Sequence, residues 1–515
     1  MGKFMIRSLV MKSTNVAIVL AALFIGVFME NLDHTIMATA VPSVVAQLGG
    51  MNVFPWVFSV YLLTSTIFIP VFGKLADQFG KKPFLLIGFS TFVLASVLSA
   101  NAESIGQLIA YRALQGLGAA PLMPIAFSMI FDLVKPERQG KIQGLFAAVN
   151  GLSLILGPII GAYLTDHFSW HWVFWINVPF GVAAAIMISL FYKEGKGHRS
   201  KGAIDYIGAA LLVCAISPLM VALVMGGRDF AWASWQIITL FGVSAFFVYL
   251  FLRTEGRAKE PIIALDLFNK KVVSSVVIGA LQGIVMIAVM VYIPFYIQGV
   301  MGGTVTHVGT ILTHMIVAMI LGTGIGGHLL EKVPARTIIW LSVVWIGIGG
   351  YMLTQIDPQT SDIYFFVAML FMGLGLGPLF PTTTLLAQTS VSHHQTTSAT
   401  SLLSFFRNIG MAVGSSLLAA LVNNQLTKSA STIDTVNISS TQMDSLKDPN
   451  LLMDPALQQT VPDQALHILQ HGMGTGILHV FAVSVAAALI IFLFGFMAGK
   501  SRLVMPHGSK KIGFH

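Results

Sequence analysis

Apolar residues run in long stretches from Val16 almost to the C-terminus, broken only by short polar segments rich in Lys, Arg, Gly and Asp. The stretches centre on residues 16–41, 54–73, 83–101, 104–131, 141–164, 172–192, 203–225, 233–252, 272–299, 306–330, 337–355, 362–388, 397–424 and 473–498. Most approach or exceed the ~20 residues that a helix needs to cross the roughly 30 Å hydrocarbon core. They are continuously apolar and lack the ten-residue alternation of a barrel strand. Helices and closed barrels are the two structures that satisfy their backbone in lipid. The pattern therefore predicts an all-α polytopic membrane protein with fourteen transmembrane helices. The first stretch is expected to stay as span 1, because it is long, carries acids and lacks a small-residue cleavage site.

Composition agrees. The 515 residues are 55% hydrophobic and 10% charged, against roughly 25% charged in a soluble domain. The formal charge of +8 raises the question of nucleic acid, and position answers it. With the N-terminus inside, 24 of the 29 Lys and Arg fall in segments on one side, and Arg228, Lys428 and Lys447 on the other. The last two, Arg112 and Arg407, lie inside spans. This asymmetry puts both termini in the cytoplasm and assigns the basic charge to orientation beside an anionic inner leaflet, with no nucleic-acid partner. The lone cysteine, Cys214, sits in an apolar stretch and is expected to be a small buried residue, with no disulfide or metal role.

Basic hydrophilic segments, KEGKGHRSKG and RTEGRAKEP, flank the span pair at 203–252. The expected division is a six-helix bundle in 1–192, an inserted transmembrane hairpin in 193–260 and a second six-helix bundle in 261–515. GKLADQFGKK (Gly73 to Lys82) and GGHLLEKVPAR (Gly326 to Arg336) form a weak internal echo between the two. A polar loop, 425–472, separates spans 13 and 14. Its DPALQQTVPDQALHILQ stretch suits short amphipathic helices, and the loop is expected to be a flexible cap, with a functional lid as the alternative.

Ionisable groups inside spans cost ~2.5–3.5 kcal/mol each on insertion scales, so each is a candidate functional residue. Glu30 and Asp33 stand i, i+3 on span 1, nearly on one face. Burial and mutual repulsion both oppose ionising the pair, which suits a carrier that holds either a proton or a cationic solute. Arg112 lies nine residues into span 4 from Glu103, and Asp33 nine residues inside Pro42. At 1.5 Å per residue both sit roughly 13–14 Å below the same membrane face and can meet. A guanidinium there would favour the charged carboxylate against burial, and rearranging the pair would change proton affinity. Gln115, one turn on, can complete the cluster.

Span 5 carries GLSLILGPIIGAYL, with Gly151, Gly157, Pro158 and Gly161: small residues for close helix packing and a proline for a bend. Span 12 has a comparable run, Gly373, Gly375, Gly377, Pro378 and Pro381, of the interrupted kind that lines transport sites. Arg407 and Asn408 in span 13 form the strongly polar pair of the second half, with function and helix packing equally open. His34 neighbours Asp33, and His314 and His479 also fall inside spans, where a lone histidine is usually a hydrogen-bonded packing residue. His393 and His394 have no acidic or cysteine neighbours, and no metal site is expected. Tyr61, Trp56, Tyr292, Phe295 and Gln298 are candidate cavity lining. No Walker A run, HExxH or GxSxG occurs, so hydrolysis and nucleotide-driven pumping have no residues to carry them. The protein is expected to be no enzyme and to use no cofactor, drawing its energy from a proton gradient.

GKLADQFGKK resembles the loop 2–3 motif of the major facilitator superfamily, with Gly73, Asp77, Gly80, Lys81 and Lys82 matching. LIAYRALQGLGAA resembles its span 4 motif, and GLSLILGPIIGAYL the antiporter motif of span 5. LDHTIMATAVP, WHWVFWINVPFG and IDYIG (Ile204 to Gly208) are similar to motifs of the fourteen-helix drug:proton antiporter family, of the EmrB and QacA type. The similarity runs along essentially the whole chain. Ala162 stands where that family usually has a second glycine, and His34 and Ala38-Thr39 depart from the commoner span 1 pattern. The resemblance implies two six-helix bundles rocking about a central cavity, proton coupling through Asp33 and Arg112, and gating by Asp77 and its basic neighbours. Glu30 falls outside the motif, and its role rests on the physical argument.

The expected function is proton-coupled efflux of amphipathic, often cationic compounds by alternating access, from a monomer in a bacterial plasma membrane. Nutrient symport through the same fold, and a receptor or scaffold without flux, are the alternatives. The span 5 motif argues against the first of these, and the cost of intramembrane charges against the second.

Overall fold

The computed structural model describes residues 15–48, 55–194, 205–226, 230–256, 267–330, 332–392, 395–431 and 463–499. Fourteen helices follow one another: α1 Val16–Leu48, α2 Pro55–Phe79, α3 Lys81–Ala100, α4 Ile105–Leu133, α5 Pro136–His167, α6 Trp172–Phe191 and α7 Tyr206–Met225. They continue with α8 Trp235–Glu255, α9 Lys270–Val300, α10 Val305–Leu329, α11 Ala335–Leu353, α12 Asp362–Thr389, α13 Thr396–Ala430 and α14 Asp463–Gly495. Thirteen are long and apolar enough to cross a membrane. The other, α5, has 32 residues, about 48 Å of helix, but its described residues form only a short apolar run, Gly144–Ser153.

Local chemistry sets the helix starts. Side-chain oxygens of Ser104, Asp205, Ser234, Asn269 and Thr304 accept from backbone N–H groups at the starts of α4, α7, α8, α9 and α10, each satisfying a donor that the first turn leaves open. Asp205, the acid of the IDYIG stretch, thus caps α7. α4 loosens for one turn at Ala120–Pro121, where proline supplies no N–H.

α1 packs on α5 and α6, and α3 and α4 on each other, with α2 against α4; among the later helices α9 packs on α13, α10 on α12, and α14 on α11 and α13. The two sets meet where α5 crosses α10 and where α2 and α4 cross α13. α7 and α8 pack on each other, and α7 also reaches α2 and α13, so the pair leans on the seam. The outer surface is apolar: Phe246 and Leu252 of α8 are 57% and 52% exposed, as lipid-facing side chains are.

Two expectations change. Cys214 is exposed on α7 rather than buried, because an apolar side chain facing lipid needs no protein cover. The polar segment before span 14 is shorter than expected: residues from Asp463 onward already belong to α14. The rest of loop 425–472 beyond Ser431, and His393-His394, lie outside the described residues.

Candidate functional site: a buried charge cluster, a central cavity and a closed end

The structure brings Asp33 and Arg112 together. Arg112 Nη1 donates to Asp33 Oδ2 at 2.5 Å, with both side chains almost wholly buried, at 0% and 1% exposure. Asp33 Oδ1 accepts from Gln115 Nε2 at 2.9 Å and from Asn177 Nδ2 at 2.7 Å. Gln115 also accepts from Arg112 Nη1 at 2.7 Å and donates to Ser96 Oγ at 2.7 Å. Arg112 Nε donates to the Val57 carbonyl, and its guanidinium lies 4.3 Å from the centre of the Tyr61 ring. Helices α1, α2, α3, α4 and α6 thus all contribute to one hydrogen-bonded network, in which both Asp33 oxygens are engaged while Arg112 Nη2 and Asn177 Oδ1 are buried without a partner. Burying an ion pair requires this, since desolvation cancels most of the Coulomb gain unless hydrogen bonds fill the remaining positions.

Asn177 and Ser96 were not among the expected site residues. Asn177 is buried, and it lies in WHWVFWINVPFG, so an intramembrane amide at the start of a span was the available signal. Ser96 carries none, because a serine in a helix ordinarily returns its hydroxyl to its own backbone.

Beside this cluster lies a cavity of about 1020 Å³ between the first six and last six helices, at the top of the ~300–1,000 Å³ usual for small-molecule sites. Its wall includes Glu30, Asn31 and His34 of α1, Met123 and Phe127 of α4, Tyr292 and Phe295 of α9, Phe380 of α12, and Arg407, Asn408 and Met411 of α13. Of the expected lining, Glu30, Tyr292, Phe295, Arg407 and Asn408 face it. Asp33, Gln115, Tyr61, Trp56 and Gln298 are not in its wall. The first two point into the buried network instead, and Tyr61 packs under Arg112. Positions i and i+3 differ by about 60° around a helix, enough to send Glu30 to the cavity and Asp33 to α4 and α6. His34 meets the Tyr61 ring edge-on at 4.5 Å between centres, linking the cavity wall to the cluster. Glu30 Oε2 is buried without a hydrogen-bond partner.

Arg407 contrasts with Arg112. It lies 4.4 Å from the centre of the Phe380 ring, a contact worth about 0.5–2 kcal/mol, and donates only a long bond, 3.4 Å, to Thr383 Oγ1. Its Nε is buried without a partner. Asn408 Nδ2 donates to Thr66 Oγ1 of α2 across the seam at 3.2 Å.

The cavity extends along α13 to Asn423 and to Gly226 past the end of α7. At the opposite end, where α2 turns into α3, the two helix sets are in contact. Asp77 accepts from the backbone N–H of Thr397 at 3.0 Å and of Ser398 at 2.6 Å, so a carboxylate caps the positive end of α13. Gly73 lets α2 approach: a β-carbon there would fall 2.1 Å from Ser401 Oγ. Ser128 of α4 accepts from the Thr397 hydroxyl at 2.8 Å, and Gln388 of α12 donates to the Phe127 carbonyl of α4. Gly80 turns the α2–α3 corner at φ 107°, a conformation that suits glycine. Its neighbours fasten that corner to the first helix set, Lys81 to Asp132 at 2.5 Å and to Glu194 through its backbone, and Lys82 to the carbonyls of Ser189 and Tyr192.

In α5, a β-carbon on Gly157 would fall 1.8 Å from Thr35 Oγ1 of α1, and one on Gly151 would strike Ile316 and Ile320 of α10. Gly161 is buried one turn beyond Gly157. The side chain of Pro158 lies outside the described residues. His314 stacks on Phe366 at 4.0 Å, and its Nδ1 donates to the Thr310 carbonyl of its own helix at 2.8 Å, as a packing residue does.

Two six-helix sets around a central cavity, joined across a capped end, define a solute transporter, and the chain belongs to the Major Facilitator Superfamily, whose family model matches residues 23–415. It is similar to Multidrug resistance protein 3 of Bacillus subtilis (strain 168), with 36% identity over 96% of this chain and 97% of that protein. It is also similar to the Multidrug transporter protein MdtP of the same organism, with 36% identity over 80% of this chain and 76% of that one. The crystal structure of the human organic anion transporter MFSD10 shares the fold, with a TM-score of 0.61 at 12% identity, covering 94% of this chain and 100% of that one.

Proposed function

We propose that this protein is a proton-coupled multidrug efflux antiporter of the plasma membrane, working by alternating access between two six-helix bundles with α7–α8 as an inserted pair. The observation that carries the reading is the division of labour on α1: Glu30 in the cavity wall without a partner, Asp33 one turn away in a sealed network with Arg112. A solute entering beside Glu30 and a proton entering the network then act on the same helix. The names of the two Bacillus relatives, one for multidrug resistance and one for multidrug transport, support drugs as the solute, and resistance fits export. The basic loops support a cytoplasmic α2–α3 end; on that reading the cavity faces outward and Asp77 of α2, capping α13, is the closed inner gate. Energy comes from the proton gradient: each charge moved across 100 mV is worth ~2.3 kcal/mol.

The test uses everted vesicles energised to hold a pH gradient. Adding an amphipathic cation should discharge the gradient with wild-type protein and leave it intact with Asp33→Asn. A mutant that still exchanged drug for protons would overturn the assignment. Influx of a nutrient with protons would support symport instead.

A further inference from the structure

We infer that the cavity is built for zwitterionic amphipaths, Arg407 holding a substrate carboxylate while Glu30 faces its basic amine; this deepens the efflux reading and rests on it. Arg407 is 9% exposed and lies in the cavity wall. A guanidinium presents five N–H donors in a planar fork that matches a carboxylate. In this one, a single long bond goes to Thr383, the Phe380 ring covers one face, and Nε has no acceptor. Among the described residues no carboxylate stands within ion-pair distance of it.

Arg112, more deeply buried still, shows what a structural arginine looks like here: its Nη2 also lacks a partner, but a carboxylate, an amide oxygen and a carbonyl stand around it. A buried cation left without an anion is costly to maintain unless its counter-ion comes from outside. Across the same cavity Glu30 is the mirror case, an acid with a buried unpartnered oxygen and, among the described residues, no cation within ion-pair distance. The two groups sit on opposite helix sets, α13 and α1, in the wall of one cavity that Met, Phe and Tyr side chains also line. A ligand with one anion, one cation and an aromatic body satisfies both at once. A simple cation satisfies Glu30 and leaves Arg407 as it was.

The probe is a diamino-xanthylium dye with a free benzoate, compared with the methyl ester of the same dye. Both are titrated onto full-length protein in phosphatidylcholine nanodiscs, with empty discs subtracted. Wild-type protein should bind the acid roughly 10- to 100-fold more tightly than the ester, the value of a charge-assisted bond. Arg407→Gln should bring the acid down to the ester's affinity and leave the ester unchanged, and Arg407→Lys should keep part of the difference. Wild-type protein binding the ester as tightly as the acid would overturn the inference, whatever the variants do. So would Arg407→Gln weakening both dyes equally. Everted vesicles separate the two readings: if wild-type protein exports neither dye, efflux fails, while the nanodisc comparison still decides the ligand class.

Discussion

Arg112 and Arg407 are the two intramembrane arginines, one in each set of six helices, and the protein treats them oppositely. Arg112 is surrounded by Asp33, Gln115, the Val57 carbonyl and the Tyr61 ring. Arg407 has an aromatic face, one long hydroxyl contact and an open cavity. Each has one buried nitrogen without a partner, Nη2 of Arg112 and Nε of Arg407, so the difference lies in the anion: a carboxylate inside the fold marks a residue that holds the fold and can couple to its own network, and its absence in a cavity wall marks one that waits for a ligand. The first six helices thus carry the self-contained chemistry, and the later six contribute an unfilled contact.

That contrast is open to attack by mutation, read as thermal unfolding of purified protein in detergent. Arg112→Ala should cost the most, about 3–5 kcal/mol, because it strands Asp33 buried and unpaired. The double variant Asp33→Ala/Arg112→Ala should lose less than the two single losses added together, and strict additivity would deny the coupling. Gly157→Ala should follow at about 1–3 kcal/mol, since its β-carbon collides with Thr35. Asn177→Ala should fall in a similar or lower range, about 1–3 kcal/mol, by removing one of three donors to Asp33. Asp77→Ala should cost about 0.5–2 kcal/mol, and should raise maleimide labelling of a Thr400→Cys probe from the α2–α3 side in a Cys214→Ser background. Arg407→Gln should change least, from neutral to roughly 1 kcal/mol stabilising. A loss as large as that of Arg112→Ala would erase the distinction between the two arginines.

Much of this could be read beforehand, and the reasons are specific. The spans follow from uninterrupted apolar runs, and α5 matches that signal least because Glu137, Arg138 and Lys141 open it. The meeting of Asp33 with Arg112 follows from equal depth, since a buried charge must find a partner and few exist. Depth says nothing of azimuth, however, so Glu30 and Asp33 read as one site although α1 turns them to different neighbours. Gln298 and Trp56 suit a cavity wall by chemistry and region, but neighbouring helices decide which face such residues present. Asn177 was visible as a motif letter, but its partner on α1 required the helices to be packed.

Two of the bonds from α13 to Asp77 come from the peptide N–H groups of residues 397 and 398. Those two survive substitution at either position, whatever becomes of the hydroxyls beside them. Proline is the exception at either position, because it alone removes the amide hydrogen. For these two amide bonds the constraint falls on one acid of α2, and on α13 it amounts to a ban on a single amino acid, to which the Thr397 hydroxyl on Ser128 adds its own.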